Sequence, residues 1–352
     1  MPGFKMKALS ERWRADAGDY VISIAWSPDG GLLATAAVSG KITILDSGVG
    51  EVVHMLGGHE VGVTSLSWSP DGSTLASSGQ DGCIRLWDTE SGIERLVLQG
   101  GGSWVERVAW SPKGDMLATV AGRELRFWDK SGVLQESYKN HESTISDIAW
   151  KPGGETLAVS AYGGVTLHYP GRPELRRHLK WKGSSLKVTW SPNGKFVATG
   201  DQDATVHLWF EKNGKHLQMS GYLTKVREIS WDSSSRYLAT GGGNNVTIWG
   251  CSGKGPQGTK PILLGGHEDL LGALAFQNRG GVLASACRGG LLFPWRLGKY
   301  TPLAFSILDS PVSCLAWSPD DKLLAVGIES GMIKIMNPGD SKEGKTGLPG
   351  LL

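Results

Sequence analysis

Two glycine-rich stretches have the spacing of phosphate-binding loops. Gly339 to Thr346 fits the formula GxxxxGK[ST], in which backbone N–H groups surround phosphate oxygens and the lysine reaches the β and γ phosphates. Gly253 to Gly258 fits GxGxxG. Both loops act at the N-terminus of a following helix. Only Gly-Leu-Pro-Gly-Leu-Leu follows the first stretch, and a strand-like segment over 260–264 follows the second. We therefore expect neither to bind a nucleotide.

Other sequence patterns associated with catalysis or metal binding are missing from the sequence. It contains no HExxH, no GxSxG and no metal-ligand spacing among its 8 His residues. The four cysteines, which form no CxxC pair, are Cys83, Cys251, Cys287 and Cys314. They are interpreted as small buried residues in a reducing compartment, with no zinc site and no disulfide framework. The sequence thus predicts no catalytic residue, no metal, no cofactor and no enzyme activity.

Net charge gives little information about partners, and hydropathy gives the expected cellular environment. The 352 residues include 36 basic and 34 acidic side chains, so the net charge of +2 gives no whole-molecule attraction to nucleic acid or membrane. Residues 172–352 are more basic, with 22 Lys and Arg against 14 Asp and Glu. The segment MPGFKMKALSERW has no apolar signal region, and no run approaches the roughly 18 apolar residues of a membrane span. A soluble cytoplasmic protein is expected.

The stretch from Val61 to Asp88 shows which elements must position any site. Apolar and polar residues alternate in it, with turns at Ser69-Pro70-Asp71-Gly72 and at Asp81-Gly82. Pro70 pre-sets φ for a type I turn, and Asp81-Gly82 accepts the positive φ of a tight hairpin. The stretch therefore predicts three short antiparallel strands.

The same pattern recurs along the whole chain. An aromatic anchor ends the first strand of each repeat, at intervals of 40 to 45 residues, and the anchors are Trp26, Trp68, Trp110, Trp150, Trp190, Trp231, Phe276 and Trp317. The residue two before each anchor is bulky and apolar, and the residue one before it is small. A spacing of 40 to 45 residues between repeats is typical of propeller blades. Because the innermost strands of a propeller crowd at its axis, contact between bulky and small residues is what close packing there requires.

The repeats resemble the WD-repeat β-propeller family. The matching motifs are Gly58-His59, Ser69-Pro70-Asp71-Gly72, Asp81-Gly82 and Trp87-Asp88. The resemblance implies a buried hydrogen-bond network of His59, Ser77 or Ser78, Asp81 and Trp87, which only the second repeat carries in full. It also implies that peptides or partner domains bind at the loops around the channel.

The predicted fold is all-β, an eight-bladed β-propeller of four-stranded antiparallel blades. We expect Phe4 to Trp13 to pair with Met332 to Met336 and close the ring, which removes unpaired edges. The domain prediction is a propeller over 1–337 and a flexible tail over 338–352. Seven blades plus an irregular segment is the alternative, because Phe276 and Phe293-Pro294-Trp295 weaken the seventh repeat. Pro294 cannot donate to a ladder, so a distorted third strand is expected there.

The predicted partner-binding residues lie in loops that differ while the framework repeats. Such variation on a fixed scaffold is where a binding protein stores its specificity, and exposed tryptophan is enriched at binding hot spots. For Trp104 and Trp181 the alternative is that each ring folds over its own blade. The set is Tyr20, Trp104, Glu106, Tyr162, Trp181, Lys225, Arg227 and Arg288.

The predicted function is a non-catalytic scaffold that binds a protein or peptide partner on the loop rim. One alternative is an enzyme or small-molecule binder whose channel holds two or more desolvated titratable groups. Another is a nucleic-acid-associated propeller, which requires one basic surface formed by Arg176, Arg177, Lys180, Lys187 and Lys225. The basic run is more simply interpreted as protection of an outer strand edge.

Overall fold

The computed structural model describes residues 7–101 and 104–343, and side chains as far as residue 338. Described elements are β-strands apart from one turn of 3₁₀ helix over Pro173–Leu175. Each aromatic anchor is the last residue of a strand, as the repeat pattern predicts. Apolar and polar residues alternate, and antiparallel pairing places them on opposite faces.

The strands follow one another in chain order. The first ten are β1 (Lys7–Asp16), β2 (Val21–Trp26), β3 (Leu32–Ala37), β4 (Ile42–Asp46), β5 (Val52–Leu56), β6 (Val63–Trp68), β7 (Thr74–Gly79), β8 (Cys83–Asp88), β9 (Glu94–Gln99) and β10 (Val105–Trp110). The next ten are β11 (Met116–Ala121), β12 (Glu124–Asp129), β13 (Leu134–Tyr138), β14 (Ile145–Trp150), β15 (Leu157–His168), β16 (Arg177–Trp190), β17 (Phe196–Asp201), β18 (Val206–Phe210), β19 (His216–Met219) and β20 (Ile229–Trp231). The remainder are β21 (Tyr237–Thr240), β22 (Val246–Gly250), β23 (Ile262–Leu264), β24 (Leu271–Phe276), β25 (Val282–Cys287), β26 (Leu291–Arg296), β27 (Ala304–Ile307), β28 (Val312–Trp317), β29 (Leu324–Ile328) and β30 (Met332–Glu343).

Four-stranded antiparallel blades are the unit of the fold. The orders β2-β3-β4-β5, β6-β7-β8-β9, β10-β11-β12-β13 and β20-β21-β22-β23 are simple up-and-down sheets. The turn chemistry fixes each register: Ser69 N–H donates to Thr74 O (2.8 Å), and Gly72 adopts a φ of 74°. A residue with a Cβ would be strained at that φ.

A six-stranded sheet differs from the expected repeat. Its order is β14-β15-β16-β17-β18-β19, and β16 belongs to two blades. Arg177 of β16 pairs with β15, whereas Trp190 at its other end pairs with β17. The sequence pattern suggests an outer strand followed by a loop. The structure instead carries one strand through Gly183, Ser184 and Ser185, whose small side chains permit an extended path.

The N-terminal strand joins the C-terminal blade, which confirms the predicted closure. β1 runs antiparallel to β30 with Trp13 opposite Ile335, and its first residues pair in parallel with β27, Lys7 opposite Ala304. β1 thereby links an eight-stranded sheet of order β24-β25-β26-β27-β1-β30-β29-β28. β30 extends to Glu343, past the boundary predicted at residue 337. Phe4 to Met6 and the rest of the predicted tail, residues 344–352, lie outside the described residues.

The hydrophobic core lies between neighbouring sheets. Ile42 and Ile44 of β4 pack with Leu66, Trp68 and Leu75 of the next sheet in one buried cluster. A comparable cluster joins the two ends of the chain, since Trp13, Val21, Leu33, Ala325 and Ile333 are buried together. Each sheet thus completes the core of its neighbours.

The anchor tryptophans add a hydrogen bond across these sheet junctions. In each case the indole N–H donates to the carbonyl of the small residue in front of the preceding anchor. The bonds are Trp26 to Ala316 (3.0 Å), Trp68 to Ala25 (2.9 Å), Trp150 to Ala109 (3.0 Å), Trp190 to Ala149 (3.0 Å) and Trp317 to Ala275 (2.9 Å). The first of them ties the first repeat to the last.

Two tryptophan junctions lack this bond, and in both the small residue carries a hydroxyl. Ser67 accepts a hydrogen bond from the backbone N–H of Trp110, and Thr189 donates to Trp190 O. The indole nitrogens of Trp110 and Trp231 are then buried with no hydrogen-bond partner in the described part of the chain. Alanine at this position is therefore associated with the hydrogen bond across the junction, as well as being small enough for close packing.

Pro294 leaves its own strand regular. β26 pairs with β25 without a register shift, Ala284 opposite Pro294, so the expected distortion of this strand is wrong. The missing N–H affects the outer side instead, where only Leu291 and Leu292 pair with β27. Pro294 O accepts from Leu303 N–H (2.8 Å) on that side.

We expect Ala149→Thr to lower the free energy of unfolding by about 1–3 kcal/mol, because it disturbs the acceptor of the buried Trp190 indole. Urea denaturation of the full chain measures the change. Thr189→Ala is the reciprocal control and should cost no stability, since it places alanine at a junction that lacks the bond. Equal losses in both variants would contradict the role of the alanine junction.

Candidate partner-binding rim and channel

The two loop types that carry the predicted rim residues lie on one side of the sheets, here named the top face. The top face comprises the segments leading into first strands and the hairpins between second and third strands. Backbone bonds tie the two together: Gln80 N–H donates to Gly62 O and Gln202 N–H to Ser184 O, both at 2.9 Å. The opposite side, the lower face, carries the other turns. The top face is therefore a rigid platform.

Large apolar side chains are exposed on the top face. Trp104 is 56% exposed and Tyr162 is 55% exposed, in the third and fourth repeats respectively. Val38, Val61 and Leu223 on the same face are also exposed. The two residues before Trp104 lie outside the described residues. Trp104 and Tyr162 are the accessible aromatic residues of the predicted set.

The charged residues of the predicted set differ in whether their side chains are exposed or already hydrogen-bonded within the fold. Lys225, Arg227 and Arg288 are exposed. Glu106 is committed to the fold, since its carboxylate accepts from Gly122 N–H (2.9 Å). Tyr20 is half-buried, and its hydroxyl lies 3.5 Å from Glu329 Oε1. Burial and the Glu329 carboxylate raise the pKa of Tyr20.

Trp181 is not exposed in the way that Trp104 and Tyr162 are. Its ring is half-buried against His207, with 3.9 Å between ring centroids. The indole nitrogen is buried and has no partner in residues 7–101 and 104–338. Trp181 therefore fills the space that His59 occupies in the second repeat, and its ring offers little contact surface.

In the second repeat, one chain of hydrogen bonds joins His59, Ser77, Asp81 and Trp87. His59 Nδ1 lies 2.9 Å from Asp81 Oδ1, and His59 Nε2 lies 2.9 Å from Ser77 Oγ. Trp87 Nε1 donates to the same Ser77 oxygen (2.9 Å). Ser78 instead bonds to Thr64. Both ring nitrogens of His59 are engaged in these hydrogen bonds, so the imidazole has a structural role. Burial lowers the pKa of His59, and Asp81 opposes that shift.

The seventh repeat satisfies its third-strand tryptophan in the same way, whereas the sixth repeat uses a different side chain. Trp295 Nε1 donates to Ser285 Oγ (2.7 Å), which also bonds to His267. In the sixth repeat Trp249 Nε1 donates to the Tyr222 hydroxyl (2.7 Å). Tyr222 stands nine residues before its anchor, as His59 does in the second repeat, so it replaces the missing histidine at the equivalent position of the repeat alignment.

A charged cluster missed by the sequence analysis lies in the innermost strands. Asp147 is 2% exposed, and its carboxylate is held by Arg107 Nε (2.8 Å) and Lys187 Nζ (3.1 Å) from the flanking repeats. Val188 N–H also donates to it (3.2 Å). Despite burial, the two cations keep the pKa of Asp147 below its usual value. All three charged residues stand three before an anchor, which is the signal that could have found them.

Glu228 occupies the same position in the sixth repeat. Burial raises the pKa of its carboxyl group, an effect that Arg227 and Arg288 oppose. The innermost strands therefore carry charged groups at the same position of four successive repeats, with two cations around one ionised carboxylate.

The five cations required for a nucleic-acid surface do not lie together. Arg177 donates to Glu211 O (2.9 Å), in a loop of the lower face. Lys187 is engaged with Asp147 in the channel. These positions place the two residues on different faces of the ring.

Metal clusters and membrane-spanning helices are both absent from the described residues. Among residues 7–101 and 104–343, no group of three or more His, Cys, Asp or Glu side chains is arranged to hold a metal ion. In the same residues, no helix is long and apolar enough to cross a membrane.

Buried histidines predict loss of stability in mild acid. Burial lowers the pKa of His141 to about 4, of His168 to about 3, and of His207 and His267 to about 4, from 6.5. The unfolded chain therefore binds these protons first as the pH falls from 6.5 toward 4. Each histidine should cost about 1.4 kcal/mol of unfolding free energy per pH unit in that window. Burial raises the pKa of Asp201 to about 6, so below pH 6 the folded protein binds a proton there before the unfolded chain does. This proton uptake offsets the loss of stability caused by one of the histidines.

Urea titrations between pH 7 and 5 measure this slope. His168→Phe should reduce it by about one histidine's share, because the ring neighbours Phe127 and Tyr138 suit an aromatic replacement. Phe305→Leu, a core substitution that removes no titratable group, is the control and should leave the slope unchanged. A slope unaffected by His168→Phe would contradict the assignment.

Comparison with known proteins supports the fold and gives the family. The family profile described as IFT122 first beta-propeller matches residues 20–257, and the profile described as Anaphase-promoting complex subunit 4 WD40 domain matches residues 303–346. A crystal structure of the computationally designed Ika8 protein superposes with a TM-score of 0.79 at 20% identity, covering 94% of this chain and 99% of that one. At this identity the likeness shows the fold alone.

Curated relatives are distant and longer. Protein HIR1 of Mycosarcoma maydis is 24% identical over 43% of this chain and 17% of its own length. Periodic tryptophan protein 2 homolog of Schizosaccharomyces pombe is 24% identical over 56% of this chain and 27% of its own. Probable cytosolic iron-sulfur protein assembly protein 1 of Mycosarcoma maydis is 32% identical over 32% of this chain and 22% of its own. The chain thus matches about a quarter or less of each relative. Together with the repeat motifs and the blades, the match over residues 20–257 shows that this chain belongs to the WD40-repeat β-propeller family that the IFT122 first beta-propeller profile describes.

Proposed function

We propose that this chain is a non-catalytic scaffold that binds a protein or peptide partner on the top face around the channel mouth. The observation that carries the proposal is the pair of exposed aromatic side chains, Trp104 and Tyr162, on a platform held by backbone hydrogen bonds. Exposed aromatics on a rigid surface lose little conformational entropy on binding. Family membership supports this function, because WD40-repeat propellers mostly act as protein-interaction scaffolds.

The scaffold is proposed to have eight blades in one domain. Dividing the eight-stranded sheet at the parallel contact of β1 with β27 leaves two four-stranded units. Dividing the six-stranded sheet within β16 leaves one four-stranded unit and one of three strands, in which the long strand β15 spans the second- and third-strand positions of its repeat. Together with the four simple sheets they account for every anchor strand. β30 supports a domain end later than residue 337. A cytoplasmic location is supported only by the name of the relative called a cytosolic assembly protein.

The partner's chemistry follows from the charged side chains that share the top face with the aromatics. Lys225, Arg227 and Arg288 are exposed, and Arg107 and Lys187 face a single carboxylate. We propose that the partner presents an apolar anchor flanked by acidic groups. Charge complementarity would orient the encounter, and the aromatic contacts would supply most of the affinity.

The test is affinity capture from the cell of origin with the full chain as bait. Trp104→Ala and Arg227→Ala should each reduce recovery of the bound partner at least roughly tenfold relative to wild type. Tyr300→Ala and Arg172→Ala remove an equally exposed aromatic and arginine from the lower face, and recovery should stay unchanged. Equal effects in both pairs, or none in the first, would refute a top-face site.

The channel cluster favours a second candidate function, the binding of a small acidic molecule. Asp147 neutralises one of two cations, so Arg107 and Lys187 retain one positive charge between them, and both side chains are partly exposed. A carboxylate ligand would compensate that charge in a partly desolvated site.

Thermal denaturation with and without citrate tests the channel. If the channel binds acids, citrate should raise the melting temperature of the wild type, and Lys187→Met should abolish the increase. Lys182→Met, at an exposed position of the same strand, should retain it. Loss of the increase in both variants would show only general charge attraction and reject this candidate.

A further inference from the structure

The fourth repeat contains a polar cavity whose lining overlaps the predicted rim only at Tyr162. Its volume is about 290 Å³. The side chains and backbone that line it come from His141, Glu142, Ala161, Tyr162, Gly164, Thr166, Arg176 and His178. The cavity is large enough for a small ligand with its hydration shell.

The fourth repeat lacks the buried network of the second repeat. Val159 pairs with Ile148 as Ser77 pairs with Leu66, so the hydroxyl that joins the network is replaced by an apolar side chain. By the same alignment His168 replaces the large indole of Trp87. Its smaller ring packs on Tyr138, with 4.6 Å between centroids.

His141 is left with an unused hydrogen-bonding group at the cavity wall. The residue is buried, and its Nε2 has no partner in the described part of the protein. Because burial and the nearby Arg176 lower the pKa of His141 to about 4, the ring is neutral at physiological pH. A neutral imidazole can donate from Nε2, and an orphaned buried donor costs free energy that a ligand acceptor would recover.

Arg176 supplies a full positive charge on the same wall. Its guanidinium makes no ion pair among the described residues, yet it is close enough to lower the pKa of His141, His168 and His178. His178 adds a ring whose Nδ1 lies 3.1 Å from Thr166 Oγ1. The wall therefore presents a guanidinium, an imidazole N–H and a hydroxyl group together.

We propose that this cavity binds an oxoanion, either a phosphoryl group or a carboxylate. Arg176 would bind two of the oxygens in bidentate fashion, and His141 Nε2–H would donate to the anion from the buried side. Thr166 completes the set of polar neighbours. Glu142, an exposed carboxylate on the lining, opposes the anion and sets an upper limit on its affinity.

The proposal differs from the top-face function in both site and ligand. Tyr162 is the one residue common to the cavity and the predicted rim. Variants of Arg176 can therefore test the cavity while Trp104 and Arg227 stay intact. Lys187 of the channel is absent from the lining, so the two anion hypotheses are separable as well.

The experiment is a titration of the full chain with inorganic phosphate and, separately, with sodium acetate at constant ionic strength. Histidine Cε1–H signals in NMR spectra report on the site. The signals of His141 and His178 should shift in a saturable manner with at least one of the two anions. Arg176→Met should weaken that binding at least roughly tenfold, because it removes the charged donor. Glu142→Gln should tighten it several-fold.

Arg172→Met is the matched control, since it removes an exposed arginine four positions earlier that does not line the cavity. Affinity should be unchanged in this variant. Saturation by phosphate alone assigns a phosphoryl ligand, and saturation by acetate alone assigns a carboxylate. No saturable shift with either anion, or equal weakening by Arg172→Met and Arg176→Met, would overturn the proposal.

Discussion

The indole-to-carbonyl hydrogen bond at the sheet junctions is the interaction on which the ring depends most directly. It needs a tryptophan at the end of one innermost strand and a small residue at the same depth in the neighbouring strand. A bulky residue there would separate the sheets, and a hydroxyl group redirects the hydrogen bonding, as at Thr189. Because Trp26 reaches Ala316, this one geometry also fixes how the ends of the chain meet.

Features that repeat could be predicted from the sequence. The anchors, the turn residues and the bulky-small columns identify the strands, and the unmatched N-terminal segment predicts the closing strand β1. Each of these depends on contacts within one repeat or between equivalent positions. Local alternation and turn chemistry are sufficient to specify them.

Features that depend on differences between repeats could not be predicted in the same way. The Asp147 cluster needs three repeats to place complementary charges at one depth. Tyr222 stands at the histidine position of its repeat, but its hydrogen bond with Trp249 depends on the longer reach of a tyrosine hydroxyl, which the alignment does not give. The continuous strand β16 depends on the absence of a turn signal, and Trp181 becomes half-buried because His207 offers it a ring to pack on. Such outcomes arise from three-dimensional neighbours that a single repeat does not contain.

The position of β1 has a consequence for how the protein is made. Ser10 and Asn337, which share a hydrogen bond, are 327 residues apart in the sequence. A ribosome must therefore synthesise the whole segment between these two residues before β1 can pair with β30. Until then the nascent chain is an open arc with uncovered apolar surface at both extremities. Contacts of such long sequence separation form slowly, and exposed strand edges favour aggregation. Molecular chaperones that shield the arc during translation would therefore determine how much protein reaches the closed state.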